Sequence, residues 1–380
     1  MHSSVLKEAP AEAVPSAADA ILCGTLHIYV AFDWGEEIDL DRARRLVPAE
    51  VQALPRRRRT PSSFAYRPPP LRFALTPVPL TLPEVGAVAA PAEATVFDFA
   101  AVSLDLEVPF QLSQARLTQL AGWLAAPADL LQTARHSLDL LYHKLLPAIQ
   151  DPQWSDDLSE EYFVFHLPPG EPKPAAQWLT EHAGWLAGLL RLESGPLSAD
   201  EIAEALRLRL QYRPDDLLLP DWAAAVLIDS DCEETLQTIE FTNLQLLEFR
   251  HIDNRLDDNL KTAYGLIQRL TQSLLPFWRT HARRMRAVGE LKAEANELFE
   301  RTENVLKLVG DQYLARVYRQ LASRFHLQDW EQSIQRKLEV IEGIYQVLSD
   351  QAATYRGELL EIIIVLLIII EIGLALFWHR

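Results

Sequence analysis

The chain has 380 residues, 49% of them apolar, and a formal net charge of −17. That length holds two or three domains with a full core, and the acidity excludes a body that coats nucleic acid or anionic lipid with its bulk surface. Two cysteines, Cys23 and Cys232, are too few for a disulfide framework and have no metal-ligand company nearby in the sequence, which fits a reducing compartment.

Residues 1–20 form an Ala/Pro/Ser leader with Glu8, Glu12 and Asp19 and no long apolar stretch, so neither a secretory signal nor an arginine-rich transit peptide is expected. ILCGTLHIYVAFD, 21–33, reads as a strand, and IDLDRARRLV as a short helix with Ile38, Leu40 and Leu46 on its apolar side. PRRRRTPSSFAYRPPPLRFAL follows, where prolines 68–70 confine any strand to an edge or loop. Its arginines, Arg56, Arg57, Arg58, Arg59, Arg67 and Arg72, alternate with Phe64, Tyr66 and Phe73. Arginines among aromatics suit a phosphate, a lipid headgroup or RNA. A solvated loop that satisfies nearby acids is the plainer reading.

Residues 77–94 are Pro- and Ala-rich and read as a connection, and 95–110 as a second strand. A helical stretch over 113–149 carries Leu117, Leu120, Leu124, Leu130, Leu131, Leu138, Leu141 and Leu145 on its buried side. EYFVFHL, 161–167, is a third strand, and two helices come next, the second opened by a Ser198–Glu201 capping box. Residues 216–230 read as a further strand. The expectation is a mixed α+β body over 21–230.

Beyond it the texture is helical. A second capping box, Ser230 with Glu233, launches a long helix over 231–282 with the stripe Phe249, Ile252, Leu256, Leu260, Ala263, Ile267. Residues 283–357 carry two heptad stripes, the second being Leu338, Ile341, Tyr345, Leu348, Ala352 and Tyr355, with breaks at Gly310 and 325–330. Such stripes predict an antiparallel, coiled-coil-like hairpin stalk. Residues 358–380 then predict a transmembrane anchor: Leu359–Trp378 as a helix covers about 30 Å, with Trp378 at an interface and Arg380 in the headgroups. Without a signal to carry it across, the body is expected in the cytoplasm, on a single-pass, tail-anchored chain of a bacterial inner membrane. Glu361 sits near one interface. Glu371 lies inside the apolar run, where a carboxylate either snorkels as a neutral or interface-seeking group or bonds across to sister helices; the second is the preferred expectation.

No Gly-rich phosphate loop, GxSxG elbow, HExxH or CxxC pair occurs, so no catalytic residue, metal or cofactor is expected. Asp229, Asp231, Glu233 and Glu234 fit a helix N-terminus better than a metal site. His251, Asp253 and Asp257 share a helical patch that reads as a solvated or interface face rather than a general base.

FDFAAVSL, LEFRHIDNRLDDNL, and DQYLARVYRQLASRFHLQDWEQSIQRKLEVIEGIYQVLSD running into LLEIIIVLLIIIEI make the chain resemble the family of the "required for meiotic nuclear division" proteins and the bacterial YagE-type proteins. That resemblance, over residues 21–375, implies a membrane-bound, self-associating protein without established catalytic residues; mitochondrial members support organellar translation at the inner membrane. The functional expectation is a homo-oligomeric scaffold that holds a cytoplasmic protein or ribonucleoprotein near membrane lipid, without sequence-specific nucleic-acid binding. Two rivals are an ion or proton conduit through Glu371, and an enzyme on a phosphate-bearing substrate.

Overall fold

Successive residues of a strand face opposite sides of a sheet, and that alternation organises the N-terminal body. The computed structural model describes residues 21–47, 50–51, 69–127, 129–155, 158–169, 175–270, 293, 296 and 312–378. Among them the first half runs β1 (Ile21–Asp33), β2 (Glu37–Ile38), α1 (Leu40–Leu46), β3 (Glu50–Val51), β4 (Leu71–Ala74), β5 (Val78–Leu82), β6 (Gly86–Ala90), β7 (Ala92–Val96) and β8 (Ala101–Ser113). It continues with α2 (Gln114–Leu124), α3 (Leu130–Leu145), β9 (Ile149–Gln150), β10 (Ser159–Leu167), α4 (Ala175–Glu181), α5 (Ala183–Arg191) and α6 (Ala199–Ala205). The last elements are β11 (Leu217–Pro220), β12 (Ala224–Ile228), α7 (Glu233–Leu270), α8 (Gln312–Arg324) and α9 (Leu327–Trp378).

Eight strands form one mixed sheet in the order β11-β12-β10-β1-β8-β7-β4-β3. Its centre is the antiparallel pair β1 and β8, in register from Ile21 opposite Ser113 to Asp33 opposite Ala101. β10 and β12 pair in parallel; the other ladders are antiparallel. Leu26, Ile28, Val30 and Phe32 of β1, with Val102, Leu104, Leu106 and Val108 of β8, point into one large core with Leu117 and Leu120 of α2, Leu138 of α3 and Leu189 of α5. A smaller cluster on the other face joins Ala31, Phe97, Phe99 and Ala101 to Leu244 and Leu247 of α7. The sheet is therefore covered by helices on both faces.

Several sequence expectations change here. The stretch 77–94 is not a bare connection: it makes the β5–β6 hairpin and the start of β7. The strand expected over 95–110 is interrupted by a tight turn at Phe97–Ala100, with Ala100 at φ 62° and its N–H donating to Phe97 O at 3.2 Å. Its later part extends to Ser113, whose side chain caps α2. The single helix over 113–149 breaks before Asp129, which adopts φ 62° two residues after Pro127. Residues 216–230 fold as the hairpin of β11 and β12, with Pro220 on the sheet's edge strand, where its missing N–H costs no ladder bond. Ser198 accepts from Glu201 N–H at 3.2 Å as its capping box predicts. The second box does not form at Ser230: α7 starts at Glu233, and Leu236 N–H donates to Cys232 O at 2.9 Å.

The chain divides into two compact units, residues 1–247 with 308–325, and 248–307 with 326–380. In the second unit, Phe249, Ile252 and Leu256 of α7 and Ile334, Leu338 and Ile341 of α9 are buried. Lys337 bonds Asp253 at 2.8 Å and Asp257 at 2.6 Å. α9 is a single helix of 52 residues. Among the described residues, no helix is long and apolar enough to cross a membrane. The predicted span rests partly on the side chains of Leu359, Leu360, Ile362 and 375–380, which lie outside the described residues, as do residues 1–20, Gly310 and nearly all of 283–311.

Candidate functional site

On the face opposite the large core, the alternate residues of four neighbouring strands are polar. β1 contributes His27 and Tyr29, β8 Ser103, Asp105 and Glu107, β7 Glu93 and Thr95, and β4 Arg72. Register lines them up: His27 lies opposite Glu107, Tyr29 and Glu93 opposite Asp105, Thr95 opposite Ser103 and Arg72. Directly opposed residues on one face are within side-chain reach, and long side chains also meet on the diagonal. The first turns of α7 cross this face with Glu233, Gln237 and Glu240, spaced to share one helix side. Between helix and sheet lies a cavity of about 260 Å³ lined by His27, Tyr29, Arg72, Glu93, Asp105, Glu107, Glu233, Gln237 and Glu240 among others.

The cavity is rich in carboxylates. Arg72 Nε meets Glu93 at 3.1 Å, and its Nη1 stands 4.0 Å from Glu233. His27 Nδ1 is 3.3 Å from Asp105 Oδ2. Burial lowers the affinity of the His27 ring for a proton, but the bond to Asp105 and the charges of Asp105, Glu107 and Glu240 outweigh it and raise its pKa. Burial pushes Glu240 up to about 7, helped by the charge of Asp105 and opposed by a hydrogen bond from Thr95 and by the charge of Arg72. Tyr29 is raised well above its ordinary value by burial and the same acids, so it stays a neutral phenol. Five carboxyl groups thus face one arginine and one histidine, and the arginine is already shared by two of the five. Such a field favours a cation over an anion.

Beside the cavity, His166 of β10 donates from Nε2 to Asp229 O at 2.9 Å, and burial lowers its pKa. Its Nδ1 faces Cys232 Sγ at 3.9 Å. The Cys232 thiol is pushed up to about 11 by burial and by Asp229, so it is held protonated and is a poor nucleophile. Among the described residues, one group of histidine and acids can offer three converging ligand atoms: His27, Asp105 and Glu107, whose donor atoms lie within 4.8 Å of one another.

A different geometry marks the end of α9. Every described apolar side chain from Ile363 to Ile370 is 45–63% exposed, and Ile372 and Leu374 continue the run. These residues cover all sides of the helix. Glu361 and Glu371 are exposed on it as well.

Of the residues singled out in the sequence, Arg72 reaches the cavity wall, while Arg56, Arg57, Arg58, Arg59 and Arg67 lie outside the described residues. Leu338 and Ile341 are buried; the side chains of Tyr345, Leu348, Ala352 and Tyr355 lie outside the described residues. Asp229 turns back to accept from Asp231 N–H at 3.0 Å, and Glu233 and Glu234 occupy the first turn of α7, as acids at a helix start should. Asp253 and Asp257 are occupied by Lys337 rather than poised beside His251 as a base. His27, Asp105, Glu107 and Glu240 were not singled out. Their signal is HxY in β1 and SxDxE in β8, polar residues at every second place of strands whose other places are apolar.

A family model described as "Uncharacterized protein MJ0711, N-terminal domain" matches residues 23–234, which take in the sheet apart from the first two residues of β1. Uncharacterized protein MJ0711 of Methanocaldococcus jannaschii is 28% identical over 233 residues, covering 58% of this chain and 67% of that protein. No solved structure matches the chain. The match corrects the resemblance to the "required for meiotic nuclear division" and YagE-type proteins. Most of the residues that carried that resemblance are C-terminal helix with heptad spacing and an apolar end, a pattern that unrelated chains share, whereas the matched residues are the sheet itself.

Proposed function

This chain belongs to the family of the MJ0711 N-terminal domain, and we propose that it is a membrane-anchored scaffold whose last helix rests in lipid and self-associates while its α+β body meets a protein partner. The observation that carries this reading is the unbroken apolar surface of α9 from Ile363 to Ile370. A helix apolar on one stripe packs on its own core; one apolar all round is covered by protein or by lipid on every side. The ten exposed apolar side chains among 363–374 are about half accessible. Covering the remainder is worth on the order of 10 kcal/mol, from 1.5–3 kcal/mol per fully buried large apolar side chain. Glu371 opposes this by about 3 kcal/mol if it enters the hydrocarbon as a single unpaired acid. Burial therefore wins, and pairing of Glu371 across sister helices reduces the opposing cost further.

Length agrees with the reading. Leu359–Trp378 as helix spans about 30 Å, one hydrocarbon core. α9 is continuous from Leu327, so the same rod that lies in the second unit leads into the apolar run. A rigid helix of this kind fixes the height of whatever it carries above a bilayer.

Flotation with liposomes tests the proposal in the full chain. The native protein is expected to rise with the vesicles and to resist alkaline extraction. Leu367→Arg combined with Ile370→Arg adds two charges at about 3 kcal/mol each and is expected to leave most of the protein in the aqueous fraction. A native chain that stays in the aqueous fraction, or a double variant that floats equally well, contradicts the anchor.

A further inference from the structure

We propose that the cavity between α7 and the sheet is a binding site for a first-row divalent cation, held by His27, Asp105 and Glu107. This goes beyond the anchoring role and does not depend on it. The three donors come from two adjacent strands at positions fixed by the central ladder: His27 faces Glu107 directly, and Asp105 lies on the diagonal, two residues earlier on the same face. Their ligand atoms lie within 4.8 Å of one another. Donors on a sphere of radius roughly 2.1 Å are separated by roughly 3.0–3.4 Å at neighbouring positions. The 3.3 Å between His27 Nδ1 and Asp105 Oδ2 already matches such an edge. Glu107 has only to move by a rotamer, and it is exposed and free of core packing.

A second observation, independent of the donor triad, comes from the helix side. Gln237 lines the same cavity and is only 7% exposed, yet its Oε1 has no hydrogen-bond partner among the described residues. Its orientation is set by Nε2, which donates to Glu233 at 3.2 Å. The orphaned oxygen is thus an acceptor in a buried wall. Leaving it so is unfavourable; water on a bound cation donates hydrogen bonds and satisfies it. A cation also relieves the mutual repulsion of Asp105 and the buried Glu240.

The donor set defines the class of ion. One imidazole and two carboxylates suit zinc, manganese or ferrous iron; magnesium and calcium take oxygen ligands, and the nearest thiol, Cys232, bonds His166 instead. Three protein donors leave positions open to water or a further ligand.

The test uses the untagged full chain in detergent, stripped with chelator and dialysed against Zn2+ or Mn2+. One saturable equivalent per chain is expected, with a rise in melting temperature and no displacement by excess Mg2+. Glu107→Gln changes an exposed side chain and should fold normally; it is expected to weaken binding at least about tenfold and to abolish the thermal shift. His27→Asn is expected to remove binding. Absence of a saturable equivalent overturns the proposal, and so does Glu107→Gln binding Zn2+ as the native chain does, since the ion would then sit elsewhere on the acidic surface.

Discussion

Glu240 concentrates the electrostatics of the body in one side chain. It is 4% exposed, faces Asp105, and titrates at about 7 in the folded chain. An unfolded glutamate releases its proton in the ordinary carboxylate range. Between that range and about 7 the folded chain holds a proton that the unfolded chain has lost, so stability falls as pH rises through the window. His27 works in the same direction: with its folded value raised, its contribution is full below the ordinary imidazole value and is lost as pH rises through the folded one. In chelator-stripped protein, Glu240→Gln removes the glutamate part alone. At pH 8 the variant is expected to exceed the native chain in unfolding free energy by up to about 3 kcal/mol. The gap should close toward pH 5, as followed by denaturant midpoints at both pH values. An equal pH slope in both chains contradicts a buried acid there.

At the scale of elements, Asp221 ties three of them together. It sits in the turn between β11 and β12 with no exposed surface. Arg191 of α5 meets it at 3.1 Å, Arg324 of α8 at 3.4 Å, and Tyr162 of β10 donates to its carbonyl at 3.0 Å. Burial pushes its pKa up, against the pull of the two arginines. Arg191 and Arg324 each keep a second acid, Glu201 at 2.7 Å and Glu204 at 2.9 Å, so removing Asp221 costs less than orphaning a buried charge outright, on the order of 2 kcal/mol. Asp221→Ala is expected to lose that much in denaturant unfolding; a loss below about 1 kcal/mol would show that α8 is held by its apolar contacts instead.

The elements also show what a sequence does and does not reveal. β1 and β8 were legible because thirteen residues of alternation each leave little choice of structure. β5, β6 and β7 were not, because alanines and prolines carry little strand signal of their own and the segment becomes a ladder only through pairing, β5 with β6 and β7 with β4 and β8. The helix over 113–149 and the strand over 216–230 were each read as one element and are two, since breaks of five residues at 125–129 and three at 221–223 hardly disturb an apolar pattern. The candidate site was half legible. HxY and SxDxE announce a polar sheet face, but His27 meets Glu107 only through the register, and α7 closes the cavity from more than a hundred residues away. Arg72 was chosen for its place in a basic run, and its actual neighbours are acids on β7 and α7.

At the scale of the whole molecule, the chain joins a sheet matched by an archaeal protein to a helical end of different character. The anchor is a claim about where side chains 363–374 reside, and a nitroxide reports that directly. With Cys23 and Cys232 replaced by serine and a single spin-labelled cysteine at Ile368, the full chain is reconstituted into vesicles. Relaxation by oxygen, which concentrates in hydrocarbon, is then compared with relaxation by a water-soluble nickel chelate. Strong relaxation by oxygen and little by nickel are expected. Nickel relaxing the label as effectively as oxygen would place Ile368 in water and contradict the anchor.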